Sequence, residues 1–245
     1  MKLDTVTATR YCLPLREGGS LPAIVDTEDG EYVVKFRGAG QGARALVAET
    51  LAAGIASLLE LPLPKAIVVK LAKGFGMGEP DPEIQDLLRG SVGLNFGLRY
   101  LPGALGFDPA ADADAIDPEL AAAIVWFDSL ILNVDRTPRN ANLLLWESRV
   151  WLIDHGASFY FHHGMPPETW ASRAGDRFSL VREHILLGRA GSIGAADERL
   201  RPRLEAASIH AVVEAVPDEW LGVDPVTARE AYTTYLLQRL SGDRG

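Results

Sequence analysis

"NVDRTPRNANLLL", residues 133–145, sets Asp135 and Asn140 five positions apart in a polar loop and then turns abruptly apolar. Asp and Asn in loops most often cap helices or form turns, so neither residue decides anything alone. The neighbouring elements decide. "NLLLW" (142–146) and "VWLID" (150–154) are short apolar runs separated by "ESR", which reads as a small hairpin. The polar loop enters that hairpin, and Asp154 and His155 leave it. The two polar clusters should therefore lie side by side.

Upstream, Asp117 as N-cap and Pro118 at the first helical position start a helix that runs to about Leu132 and delivers the loop at its C-terminal end. The preceding "GALGFDPAADADAIDPEL" has five acidic residues and no basic one, and reads as a solvated connector. Further back, strand and helix signals mix. "AIVDTEDGEYVVKF" (23–36) is a hairpin pattern with "TEDG" as the turn, and Lys35 ends its second strand. "ARALVAETLAAGIASLLEL" (43–61) places Val47, Leu51, Ile55 and Leu58 on one helical stripe, closed by Pro62 and Pro64. At about 100° per residue, Glu49 falls opposite that stripe, flanked by Ala45, Ala48, Ala52 and Ala53, a face small enough for close approach. "KAIVVKLA" (65–72) and "VGLNFGLRYL" (92–101) read as strands. Beyond residue 165 the chain reads as three or more helices, the last over about 225–240. Their apolar stripes, such as Leu200, Leu204, Ile209, Val212 and Val213, belong to a core, and Trp220 reads as an anchor between helices.

Composition narrows the function. The 245 residues are 47% hydrophobic and 23% charged, which is ordinary for a folded chain, and a net charge of -9 argues against gripping a phosphate backbone. A single cysteine, Cys12, excludes an intramolecular disulfide and a cysteine zinc cluster, and fits a reducing cytoplasm. The longest apolar run, "LAAAIVWFDSLIL" (120–132), falls short of a membrane span and contains Asp128. A soluble cytoplasmic protein is expected.

The series now consists of a Gly18-Gly19-Ser20 turn, a strand ending in Lys35, a helix bearing Glu49, a connector, a loop with Asp135 and Asn140, and a strand ending in Asp154. Phosphoryl transfer from ATP needs those parts. Hard Mg²⁺ takes carboxylate and amide oxygens, here Asp154 and Asn140, with phosphate oxygens and water completing the shell. Asp135 would orient the attacking hydroxyl and accept its proton, while Lys35 holds the α and β phosphates and pairs with Glu49.

In "YVVKF", "VAETLAAGIASLLELPLPKAIVV", "NVDRTPRNANLLL" and "LIDHGASF" the chain resembles the HipA-like kinases over roughly residues 12–241, and the loop is also similar to that of phosphoinositide kinases. The resemblance implies an α+β, two-lobed protein-kinase-like fold, with a small sheet-plus-helix N-lobe over 1–101 and a helical C-lobe over 102–245. It implies that Gly18, Gly19 and Ser20 cover the phosphates and that the backbone of Arg99, Tyr100 and Leu101 meets adenine. It further implies a protein Ser or Thr as acceptor. A small-molecule or lipid-headgroup acceptor, a nucleotide-binding pseudokinase scaffold and transfer of AMP are the alternatives.

The chain departs from the kinase pattern in places. "DHG" (154–156) stands for the commoner "DFG", no "APE" follows, and the resemblance is not expected to extend to the extra N-terminal module of full HipA toxins. The histidines of "HGASFYFHHG" do not read as a metal site, since adjacent His162 and His163 are poorly placed to share an ion. Arg136 and Arg139 either pair with acidic neighbours or meet a substrate phosphate.

Overall fold

Much of the sheet in the first hundred residues is apolar on two faces, because it closes around one core and a second core covers part of its outer side. The structure, a computed structural model, describes residues 3–15 and 21–242. Gly18, Gly19 and Ser20 lie outside the described residues. Strands β1 (Thr5–Pro14), β2 (Ala23–Thr27), β3 (Gly30–Lys35), β4 (Ala66–Leu71) and β5 (Gly93–Arg99) form a closed barrel in the order β1-β2-β3-β5-β4. All neighbours are antiparallel except β1 and β4, where Thr5 pairs with Val68. The expected small sheet is therefore a barrel, closed by a strand that no sequence signal had separated.

Alternation then sorts the side chains. Ile67, Val69 and Leu71 join Val25, Tyr32 and Val34 inside, while Val68, Phe96 and Leu98 face outward into a second core. The hairpin turn falls where expected, with Gly30 at φ 107°. Gly97 is needed for space: a Cβ there would come 2.8 Å from Val69 Cγ2 and 3.3 Å from Ile67 Cγ1.

Helix α1 (Gly42–Leu58) crosses the outer face of the barrel. Every residue from Ala45 to Ala56 is buried, so the side opposite the expected stripe is as dry as the stripe, and Glu49 is only 1% exposed. A helix apolar almost all round is a central helix. Helix α2 (Pro82–Gly90), unforeseen, starts on an Asp81 cap (Glu83 N to Oδ1, 3.0 Å) and lays Ile84 and Leu88 over the barrel's interior cluster.

Beyond the barrel a short sheet of β6 (Leu105–Gly106), β7 (Leu143–Trp146) and β8 (Arg149–Leu152) accompanies helices α3 (Pro118–Ile131), α4 (Ile193–Leu200), α5 (Ala206–Glu214) and α6 (Pro225–Ser241). Asp117 caps α3 through the Leu120 N–H at 2.8 Å, as expected. Of the stretch beyond residue 165 that reads as three or more helices, α4, α5 and α6 are the helices, and residues 165–189 carry only short 3-10 turns. One large core runs from α1 through α3 and β8 to α5 and α6.

Trp220 is an anchor, but between the helices and the barrel: its Nε1 donates to Leu94 O (3.1 Å). Beside it Arg37 pairs with Glu219 (2.7 Å), and Arg203 donates to Leu59 O (2.9 Å) at the end of α1. No helix among the described residues is long and apolar enough to cross a membrane.

Gly97→Ala should destabilise the protein by about 1–3 kcal/mol through overpacking, lowering the thermal midpoint by several degrees. An unchanged melting curve would contradict this account of the barrel interior.

Candidate active site

Strand β3 ends at Lys35, and Nζ of that residue reaches two carboxylates, Glu49 Oε1 from α1 and Asp154 Oδ1 from the residue pair leaving β8. Glu49 is buried and Lys35 half-buried, whereas the Asp154 side chain keeps 39% exposure. One ammonium thus serves two carboxylates. Burial would lower the Lys35 pKa, but both carboxylates hold it above its ordinary value. Burial pushes Glu49 up against the pull of Lys35. Burial also opposes charge on Asp154, yet Lys35 keeps it below the usual carboxylate range. The cluster carries more negative than positive charge.

The loop after α3 folds tightly because its first residue is left-handed. Leu132 (φ 53°) ends the helix, and the Asn133 N–H turns back to Asp128 O at 2.9 Å. Thr137 and Asn140 then exchange main-chain hydrogen bonds, each 3.0 Å, with Pro138 and Arg139 at the tip. Pro suits that turn position because its φ is preset. The turn resolves the five-residue interval: Asn140 Nδ2 comes back to donate to Asp135 Oδ2 at 2.8 Å. Asn142, left-handed at φ 48°, donates to the same oxygen (3.4 Å) and to Asp154 O (3.4 Å). Asn142 thereby joins the two clusters. Sequence reasoning passed over it, although Asn tolerates the left-handed region better than most residues.

Asp154 is itself left-handed (φ 56°). The Asp154 carboxylate and the Asn140 amide oxygen, turned away by the bond its nitrogen makes, are donors of the kind Mg²⁺ takes. With the surplus of negative charge, they fit such an ion completed by phosphate oxygens. Among the described residues no group of three or more His, Cys, Asp or Glu gathers to hold a metal alone, including around His162 and His163, where His162 Nδ1 bonds Tyr232 Oη (2.7 Å).

Beneath the loop is a fully buried polar network. Asp128 meets Arg136 Nε at 2.5 Å, His184 Nε2 at 2.9 Å and Asn133 Nδ2 at 3.0 Å. His184 Nδ1 accepts from the Leu186 N–H (3.1 Å), so its proton is on Nε2 and donates to Asp128. Arg136 also donates to the carbonyl of Asn142 and sets Nη2 2.8 Å from His155 Nε2. Of the two readings open for the arginines, Arg136 takes the acidic partner, while Arg139 stands exposed at the turn. Burial alone would raise the Asp128 carboxyl; Arg136 and His184 outweigh it and hold it far below the usual range. Burial, with the nearby Arg136 charge, lowers His155 to about 3, so its ring is neutral. That ring packs edge-on against Phe127 with centroids 5.6 Å apart.

The structure brings Lys35, Glu49, Asp135, Asn140 and Asp154 into this one network of contacts. Arg99 and Tyr100 give their N–H groups to Lys65 O (2.8 Å) and Glu31 O (3.0 Å), and the Leu101 carbonyl accepts from Ala104 N (3.2 Å). The Arg99 side chain lies over the Tyr32 ring, 5.2 Å from its centroid.

In comparison with known proteins, residues 12–241 match the model of the family described as HipA-like kinase. The chain is similar to the crystal structure of the Helicobacter pylori proinflammatory kinase CtkA, with a TM-score of 0.59 and 13% identity over 96% of this chain and 94% of that one. At that identity the likeness shows the fold. No curated protein matches in sequence.

Asp128→Asn should destabilise the protein by about 3–5 kcal/mol at neutral pH, because Arg136 loses its buried counter-charge. The folded-state pKa of Asp128 is lowered, so its contribution is complete above the ordinary carboxylate pKa of 3.8 and is lost as pH falls below it. Urea titrations of both proteins at neutral pH and near pH 3 should therefore show the gap narrowing in acid; a gap independent of pH would refute the ion pair.

Proposed function

The chain belongs to the HipA-like kinase family, and from that premise we propose that it transfers the γ-phosphoryl group of ATP to a hydroxyl of a protein Ser or Thr. The observation that carries the reading is Lys35 held between Glu49 and Asp154 while Asp135 is presented beside Asp154 by Asn142. On this reading residues 1–101 are an N-lobe and 102–245 a C-lobe, with nucleotide held between them. Bound Mg²⁺ would neutralise phosphate charge and be held by Asp154 and Asn140.

Lys35 takes the α and β phosphates, and its pairing with Glu49 keeps the ammonium aimed. Asp135 has one oxygen occupied by Asn140 and Asn142. Its other oxygen is the one to accept the proton of the attacking hydroxyl. In the segment assigned to adenine, Arg99 and Tyr100 have their N–H groups committed within the protein, so the Leu101 N–H is the donor we assign to the base. Gly18, Gly19 and Ser20 are assigned to the phosphates. The cytoplasm, where ATP and Mg²⁺ are available, is the proposed location, and the protein acceptor is carried by family membership.

Calorimetric titration of ATP should show saturable binding that needs Mg²⁺ and is lost in Asp154→Ala, and weaker binding in Lys35→Ala. Asp135→Ala should keep MgATP affinity while phosphoryl transfer falls roughly 10²–10⁴-fold, followed as a phosphoryl rather than adenylyl mass increment on the protein product. Full turnover by Asp135→Ala would rule out its role as base, and an adenylyl increment would replace phosphoryl transfer with AMP transfer.

A further inference from the structure

Two buried polar atoms of the site lack a hydrogen-bond partner, and they face each other: Glu49 Oε2 and His155 Nδ1. They are 3.9 Å apart, about 1 Å beyond hydrogen-bond reach. The tautomer of His155 follows from its other neighbour. A guanidinium has only donors, so Nε2, 2.8 Å from Arg136 Nη2, must accept. The proton of the neutral ring is then on Nδ1, the atom turned to Glu49. The main-chain N–H of His155 is directed at the Glu49 carboxylate and favours its charged form, while Oε2 is left without a hydrogen bond.

The side-chain hydrogen bond that holds Glu49 is the one Lys35 gives to Oε1. Once Lys35 shares its charge with phosphates, that hold weakens, and a carboxylate 1% exposed needs a donor at its unmet oxygen. We propose that His155 is the positioning residue that supplies it, donating from Nδ1 to Glu49 Oε2 in the nucleotide-bound state. Nε2 of the same ring rests on Arg136, which Asp128 fixes beneath the 133–142 loop. One imidazole thus ties the seat of Asp135 to the seat of Lys35, a link that the phenyl ring of a "DFG" sequence has no atoms to make. The inference rests on the ATP-binding reading above.

A double-mutant cycle tests it, with the dissociation constant of MgATP measured by calorimetry. His155→Phe keeps a ring against Phe127 and should weaken MgATP about tenfold, the worth of a hydrogen bond to a charged group. In a Glu49→Gln background the same change should cost less than about twofold. His155→Asn, whose amide reaches the Nδ1 position, should recover much of the affinity. Equal losses in both backgrounds would mean that the ring only packs, and would overturn the proposal.

If the variants do not fold by circular dichroism, imidazole nitrogen NMR shifts of the unaltered protein decide. The Nδ1–H tautomer is expected, with its proton protected from exchange when MgATP is added; an Nε2–H tautomer overturns the proposal. Absence of MgATP binding by the unaltered protein would remove the kinase reading and this inference together, whereas normal binding with an additive cycle removes the inference alone.

Discussion

A carboxylate out of reach of water has to be met by donors, and the end of α3 is organised around meeting Asp128. Its partners come from the loop that follows it (Asn133 and Arg136) and from a segment 56 residues on (His184). Each donor is itself committed elsewhere, His184 through Leu186 N and Arg136 through the Asn142 carbonyl and His155. Removing any member strands the others, so the 133–142 loop has little freedom to sit anywhere else. The carbonyls of the last turn are closed off too: Arg239 of α6, 2% exposed, donates to Ser129 O (2.6 Å) and Leu130 O (2.9 Å).

The other acidic cluster is built on the opposite plan. Glu49 and Asp154 share one lysine, Glu49 keeps an unmet oxygen, and Asp154 opens to solvent. Where Asp128 is satisfied inside the protein, this pair is left short of positive charge. The difference separates a group that shapes the loop from groups with capacity left for a ligand. Left-handed residues, Leu132, Asn142, Asp154 and Phe159, recur along this stretch; such conformations persist only where the surroundings over-determine them.

Much of this was legible in the sequence. That Lys35, Glu49, Asp135, Asn140 and Asp154 come together was readable, because the expectation lies in chain order: strand end, helix, loop, strand end. The α3 cap was readable because Asp117 and Pro118 act locally. Asp128 was not, because its partner His184 is distant in sequence and an Asp in an apolar helix looks like an interruption until packing surrounds it. Strand β1 escaped because register shifts between Ala8 and Arg10 and between Tyr11 and Leu13 break the period of two on which strand recognition depends. Helix α2 was within reach, since Asp81-Pro82 repeats the start of α3 and Ile84 and Leu88 are four apart. The burial of Glu49 was not, because a small-residue face looks alike whether it meets water or another helix.

The barrel is joined to the helices by fastenings of two chemical kinds. On one side Lys35 reaches Asp154, and what holds there is charge. Elsewhere the Trp220 indole seats on the Leu94 carbonyl of β5 and Arg203 on the Leu59 carbonyl at the end of α1, beside the ion pairs Arg37–Glu219 and Arg203–Glu60. Acid that protonates Asp154 therefore loosens the first fastening and leaves the indole-to-carbonyl bond of Trp220 as it was. The same change of solution is thus felt at one joint between barrel and helices and not at the other, because one ends on a carboxylate and the other on a peptide carbonyl.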